Sequence, residues 1–159
     1  MTRPMIMLLS LACITATFAN QERPSVSHLQ AIEKAVLEAN AEMIGAAENL
    51  DAEGFFNWIL DSVKGPVIQD GKLMLTRQEA LDAVKRGFQG ITGSKYQLDR
   101  AYVSVITPEV ALLTAEGAST ATLNDGRTIS APFALSEVFV LKNGKWKVLH
   151  AHQSVPNNR

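Results

Sequence analysis

The sequence has a single cysteine, Cys13, which lies in the first apolar stretch of a 159-residue chain. One cysteine cannot build a disulfide framework or a thiolate metal cluster, so both are excluded. An excess of positive charge is also lacking, since 15 Lys and Arg residues against 16 Asp and Glu residues give a formal net charge of −1. Without an overall positive field, nucleic acid is disfavoured as a partner. The sequence contains no Gly-rich phosphate loop, nucleophile elbow or zinc-ligand spacing, and we expect neither a cofactor nor a metal.

The N-terminal segment has the pattern of a secretory signal peptide. An apolar run over residues 5–18 follows the positive charge of Arg3 and reaches the small residue Ala19. This run is too short to cross a bilayer as a stable helix, so we expect no stable membrane insertion. We predict a signal peptide over residues 1–19, a short arm over residues 20–26 and a secreted or periplasmic protein.

Two other interpretations of the apolar run are disfavoured. An acylated Cys13 requires a Leu-like residue three positions earlier, and Ser10 stands there. A buried, uncleaved helix is disfavoured because Pro24 and its polar neighbours separate the run from the chain that follows. The plain cleaved signal is therefore our prediction.

Residues 27–156 begin with three predicted helices. Ser27 with Gln30 indicates the start of a long first helix, whose apolar positions recur at spacings of three and four residues as far as Leu50. Asp51 is placed to cap a second helix, and Thr76 with Glu79 to cap a third. The second helix carries a cluster that is typical of a core: Phe55, Phe56, Trp58, Ile59 and Leu60.

A change of periodicity to two after the third helix predicts four long strands, over residues 96–106, 110–123, 127–141 and 145–155. A small hairpin with an Asp70-Gly71 turn is predicted before the third helix, because Asp-Gly suits the positive φ angles of a tight turn. The order of elements predicts a single α+β domain with an antiparallel sheet.

The last hairpin carries the candidate site. Asn143-Gly144 is the preferred two-residue turn, and it sets the expected pairing of the last two strands. On this register one face is apolar near the turn and polar further along, as expected where a core opens into a pocket. Its cross-strand pairs are Leu141–Trp146, Phe139–Val148, Glu137–His150, Leu135–His152 and Phe133–Ser154.

Glu137 opposite His150 is a candidate catalytic pair, because a carboxylate that orients an imidazole makes a usable general base. The same pair could equally be two buried polar groups that satisfy each other. A site with two histidines and one carboxylate, using His152, is disfavoured because no second ligand cluster is present. The candidate ligand contacts are His152, Ser154, Phe133, Leu135, Phe139 and Trp58.

The opposite face of this hairpin predicts self-association. Val138, Val140, Leu149 and Ala151 are expected to form an apolar strip among lysines and small polar residues. Exposed apolar strips of this kind usually mark an interface, so we expect a homodimer through this sheet face.

Four segments carry a resemblance to a known family: Ala35-Val36 in the first helix, the Asn49-Leu50-Asp51-Ala52 break, Gly71 through Thr76-Arg77-Gln78-Glu79-Ala80, and above all residues 143–154. Together they resemble the nuclear-transport-factor-2-like superfamily and, within it, the SnoaL-like group. The resemblance covers residues 27–156 and implies a cone-shaped α+β fold. In this fold a curved antiparallel sheet wraps the three N-terminal helices and encloses an apolar cavity.

Members of that superfamily include isomerases, cyclases, dehydratases and non-catalytic binding modules, so the resemblance leaves the function open. The isomerases use an aspartate near the end of the first strand, where this chain has only Asp70, a predicted turn residue. One hypothesis is non-catalytic binding of a small apolar or amphipathic molecule, or dimer assembly. The other is an enzyme of the proton-transfer type, with His150 as base oriented by Glu137. Entry of a second polar group into the cavity would favour the enzyme, the candidates being Tyr96, Tyr102, Asp70 and Glu116.

Overall fold

The structure, a computed structural model, describes residues 25–61 and 64–156. The predicted signal peptide, residues 1–19, and most of the predicted arm lie outside the described residues, so cleavage and a secreted or periplasmic location stay predictions. No helix in the described ranges is long and apolar enough to cross a membrane. The elements are α1 (Val26–Glu48), α2 (Ala52–Phe56), β1 (Val67–Gln69), β2 (Lys72–Met74), α3 (Arg77–Gln89), β3 (Ile91–Thr107), β4 (Val110–Leu123), β5 (Thr128–Lys142) and β6 (Lys145–Ser154).

Side-chain caps start the three helices. Asp51 accepts a hydrogen bond from the Gly54 amide at 2.8 Å and Thr76 accepts one from Glu79 at 3.0 Å, which confirms both predicted caps. The prediction of Ser27 as the first cap is wrong, because Ser25 caps α1 and accepts from the His28 amide at 3.2 Å. Ser25 has the extended backbone conformation of a helix cap, with φ of −63° and ψ of 155°, and α1 therefore starts two residues earlier than predicted.

Helix α2 is shorter than predicted and ends at Phe56. The chain that follows leaves the helix to pair with β6: the Val148 amide donates to Trp58 O at 2.8 Å, and the Leu60 amide donates to Val148 O at 2.9 Å. These two bonds satisfy backbone groups on the β6 edge that would otherwise be buried without partners.

The six strands form one curved sheet in the order β2-β1-β6-β5-β4-β3. This confirms the predicted α+β class, but the sheet is mixed and not wholly antiparallel, because β1 lies parallel to β6. The Asp70-Gly71 hairpin docks its first strand along the free edge of β6, with Val67 beside Ala151. Asp70 has φ of 50° and Gly71 of 78°, which confirms the tight turn.

The helices pack on one face of the sheet, which we call the inner face. The core cluster joins Val36 and Met43 of α1 and Phe56 of α2 to Leu113, Phe139 and Val148 of the sheet, each at most 2% exposed. At Gly117 an added Cβ would lie 1.9 Å from Gln97 O, so only glycine allows β3 to approach β4 there. The close approach is next to a register shift between Leu98 and Arg100.

The pairing of β5 with β6 follows the prediction only near the turn. Leu141 opposes Trp146 and Phe139 opposes Val148, but the register then shifts at a β-bulge, so that Val138 opposes His150. The predicted pairs Glu137–His150, Leu135–His152 and Phe133–Ser154 are therefore wrong. The observed pairs beyond the bulge are Glu137–Ala151, Ser136–His152, Leu135–Gln153 and Ala134–Ser154. One extra residue in β6 turns every later side chain to the opposite face.

Candidate functional site

A cavity of about 350 Å³ lies between the inner face of the sheet and the helices. Helices α2 and α3 contribute part of its apolar wall, including Phe55, Phe56 and Phe88, and the strands contribute its polar groups. The aromatic lining residues are Phe55, Phe56, Phe88 and Tyr96, and the polar ones are Gln69, Ser94, Ser119, Thr120, Glu137, His152 and Gln153. This composition, mainly apolar with a few convergent polar groups, is typical of a small-molecule pocket.

Glu137 lies on the inner face of β5, between Leu113 of β4 and Ala151 of β6. Its side chain is buried, with 6% of its surface exposed, and its Oε2 has no hydrogen-bond partner within the described part of the chain. Burial raises the pKa of Glu137 from its usual 4.5 to about 7. The carboxyl group can therefore be either an acid or a carboxylate near neutral pH, and it can take or give a proton there.

Tyr96 enters the same cavity from β3. Its amide donates to Oε1 of Glu48, at the end of α1, at 2.9 Å, and this bond ties the edge strand to the helix. Its ring meets Phe133 edge to face, with 6.1 Å between the ring centroids. Burial raises the pKa of Tyr96, partly opposed by a hydrogen bond with Ser94 and reinforced by the Glu48 carboxylate. Tyr96 is thus a neutral hydroxyl group at the cavity wall.

The other three candidates for a second polar group in the cavity, Tyr102, Glu116 and Asp70, lie outside it. Tyr102 is 65% exposed, and Glu116 pairs on the surface with Arg100, whose Nε donates to its Oε1 at 2.7 Å. Asp70 is the exposed turn residue between β1 and β2. Strand pattern alone could not orient Tyr96, because the register shift between Leu98 and Arg100 changes the face of the residues around it.

His150 and Glu137 lie on opposite faces of the sheet, so the structure does not bring the predicted catalytic pair together. His150 opposes Val138, and its Nδ1 lies 3.1 Å from Gly65 O. His152 opposes Ser136 and so also lies on the face away from Glu137, which excludes the arrangement of two histidines and one carboxylate. Within residues 25–61 and 64–156, no group of three or more His, Cys, Asp or Glu is placed to hold a metal ion.

The predicted ligand contacts divide between cavity, core and surface. Leu135 lines the cavity, and so does His152, although its register opposite Ser136 places its side chain on the outer face and it is exposed. Phe139 is fully buried in the core and does not line the cavity. Phe133 is buried against Tyr96, outside the lining, and Ser154 is exposed opposite Ala134.

Trp58 belongs to a separate surface groove. Lys147 Nζ lies 5.1 Å from its ring centroid and donates to Asn57 O at 2.6 Å. The groove runs between α1 and the start of β6, away from Glu137. A contact between Trp58 and a ligand bound in the cavity is therefore not supported by this geometry.

The outer face of the sheet contains only the β5 half of the predicted apolar strip, since Leu149 falls at the bulge of β6 and has no partner in β5. Val138 and Val140 lie there, opposite Leu112 and Val110 of β4, but the bulge places Ala151 on the inner face opposite Glu137. The strip on β5 is continued by β4 and not by β6. Homodimer formation through this face stays a prediction.

The SnoaL-like domain family matches residues 36–158 of the chain. Among curated proteins, no sequence match to the chain was found. Solved structures of similar fold include a proposed dehydratase of the nuclear-transport-factor-2-like family from Streptomyces avermitilis, with a TM-score of 0.71 and 20% identity. The match covers 81% of this chain and 99% of that one.

Two other similar structures carry names of enzymes. A proposed scytalone dehydratase from Novosphingobium aromaticivorans has a TM-score of 0.76 and 8% identity, with 84% of this chain and 89% of that chain covered. A ketosteroid isomerase-like protein from Erwinia carotovora atroseptica has a TM-score of 0.65 and 14% identity, with 78% and 95% covered. At these identities the likeness is one of fold, and fold does not determine function.

Proposed function

The chain belongs to the SnoaL-like domain family, and we propose that it binds a small, largely apolar molecule in the cavity lined by Glu137 and Tyr96. The volume of about 350 Å³ is within the range of small-molecule sites. Apolar walls supply most of the binding free energy, and the two polar side chains orient the ligand.

The observation that carries this proposal is the buried, unpartnered Oε2 of Glu137. A buried polar atom without a partner costs stability, and native proteins leave few of them. Leu113, Ala151 and Leu135 around it offer no side-chain hydrogen bond, whereas the cavity is open to an incoming molecule. A ligand with one polar group would complete the hydrogen bonding of Glu137 and bury its apolar part against the aromatic wall.

The neutral fluorescent probe N-phenyl-1-naphthylamine should bind, with enhanced, blue-shifted emission. Ala83 of α3 lines the cavity, so Ala83→Trp should fill the space and weaken binding at least about tenfold, because the apolar contact area is lost. His150→Ala is the matched control: it removes a ring from the outer face and should leave the dissociation constant unchanged. Equal binding to the wild type and Ala83→Trp would place the probe outside the cavity and contradict the proposal.

A second candidate function is proton transfer, with Glu137 and not His150 as the base. Two observations favour it: the pKa of Glu137 is raised to about 7 by burial, and Tyr96 offers a neutral hydroxyl donor in the same cavity. A carboxylate in an apolar site is a stronger base than one in water, and a hydroxyl donor can stabilise the negative charge that develops on the substrate.

Base-promoted opening of 5-nitrobenzisoxazole tests this function directly. The base removes the proton from the ring carbon, its electron pair forms the nitrile, and the N–O bond breaks to release a coloured phenolate. We expect the rate to rise with pH through about 7 as Glu137 ionises and to fall by at least about 100-fold in Glu137→Gln. Tyr96→Phe should retain an intermediate rate. A rate in Glu137→Gln equal to that of the wild type would exclude Glu137 as the base.

A further inference from the structure

We infer that the cavity selects its ligands by charge: it accepts uncharged or positively charged molecules and excludes anions such as carboxylates, sulfonates and phosphates. This inference rests on the proposed binding function and concerns the same site. It follows from which charged side chains reach the cavity and which do not.

No lysine or arginine is among the described residues that line the cavity. Arg77 is the cation next to its wall, where its guanidinium lies 5.7 Å from the centroid of the Phe56 ring. Its Nη2 donates to Phe56 O at 2.7 Å, and its Nε donates to Phe56 O and Ile59 O at 3.1 and 3.2 Å. These bonds hold the guanidinium at the end of α2, and Arg77 is not among the lining residues of the cavity.

The lining residues that can ionise are Tyr96, Glu137 and His152. Tyr96 is neutral at physiological pH, because burial raises its pKa above the usual 10.0. His152 is exposed and is paired with Ser136 beyond the bulge, which turns its ring away from Glu137. The formal charge inside the cavity is therefore either zero or negative, depending on whether Glu137 is protonated.

Binding of an anion in this cavity has two free-energy costs. Its own hydration is lost without a cationic partner, and the Glu137 carboxylate repels it across a short distance in a medium less polar than water. A neutral molecule has neither cost, because it carries no charge to be desolvated or repelled. A protonated amine loses hydration too, but its attraction to Glu137 and to the aromatic rings of Phe55 and Phe88 offsets that cost.

A matched pair of probes tests the inference. N-phenyl-1-naphthylamine is uncharged, and 8-anilinonaphthalene-1-sulfonate has the same two ring systems with one added sulfonate. We expect the sulfonate to bind the wild type at pH 8 at least about tenfold more weakly than the neutral probe, since like charges a few ångströms apart repel strongly in a partly buried site. Glu137→Gln should bind the sulfonate more tightly than the wild type does, so that the ratio of sulfonate affinity to neutral-probe affinity rises relative to the wild type.

Glu109→Gln is the matched control, because it also removes one carboxylate but lies in the exposed turn between β3 and β4. It should leave the preference of the wild type intact. Equal affinity of the wild type for both probes overturns the inference while leaving the proposed function standing. A sulfonate that is still excluded from Glu137→Gln overturns the assignment of the selectivity to Glu137. Failure of the neutral probe to bind any variant contradicts the proposed function, and the inference falls with it.

Discussion

Raising the pH from 5 to 8 should destabilise the wild-type protein by about 2–3 kcal/mol more than it destabilises Glu137→Gln. Burial raises the pKa of Glu137 from 4.5 in an exposed chain to about 7 in the fold. Between these two values the folded state holds a proton that the unfolded state has released, so the free energy of unfolding falls as the pH rises. The loss begins near pH 4.5 and is complete once the pH has passed about 7.

Urea unfolding at pH 5, 6, 7 and 8 measures this effect. All the other lining residues are present in both proteins, so the difference between the two curves isolates Glu137. Glu109→Gln should follow the wild-type curve, because Glu109 is exposed. Parallel curves for the wild type and Glu137→Gln would mean that the Glu137 carboxyl is solvated or paired in the folded protein.

Phe139→Ala should lower the free energy of unfolding by about 3–5 kcal/mol, because it leaves a void in a packed core. Phe139 is 0% exposed and belongs to the cluster that joins α1 to the sheet. Leu135, four residues earlier on the same strand face, lines the cavity and is only half-buried. Leu135→Ala should therefore cost less, about 1–2 kcal/mol, and should weaken binding of the neutral probe instead.

Paired measurements of urea unfolding and probe titration on the two variants decide between core and cavity. Both residues were predicted ligand contacts, and the structure separates them. If Phe139→Ala folds with near wild-type stability and loses the probe, Phe139 is a ligand contact and the cavity extends further towards the turn than the structure shows.

Much of the local structure was determined by the sequence alone. Asp51 and Thr76 cap their helices, and the turns at Asp70-Gly71 and Asn143-Gly144 form as predicted, because each depends on a few adjacent residues with one favourable conformation. The inward orientation of Glu137 also followed from the sequence. Alternation along β5 places it on the same face as Phe139, and β5 is regular from Phe133 to Phe139 in its pairing with β4.

The partners of Glu137 were decided only by the tertiary structure. The bulge between Val148 and His150 lies within β6, next to backbone bonds from Trp58 and Leu60, and it moves His150 out of the cavity. The shift between Leu98 and Arg100 changes the face of the residues before it, and Tyr96 lies on the inner face. A bulge depends on which strand lies alongside and how the sheet curves, and both are contacts between segments far apart in the chain. Alternation in the sequence therefore places side chains correctly only as far as the first bulge. Several residues that line this cavity lie past a bulge, so their orientation could not be read from the sequence.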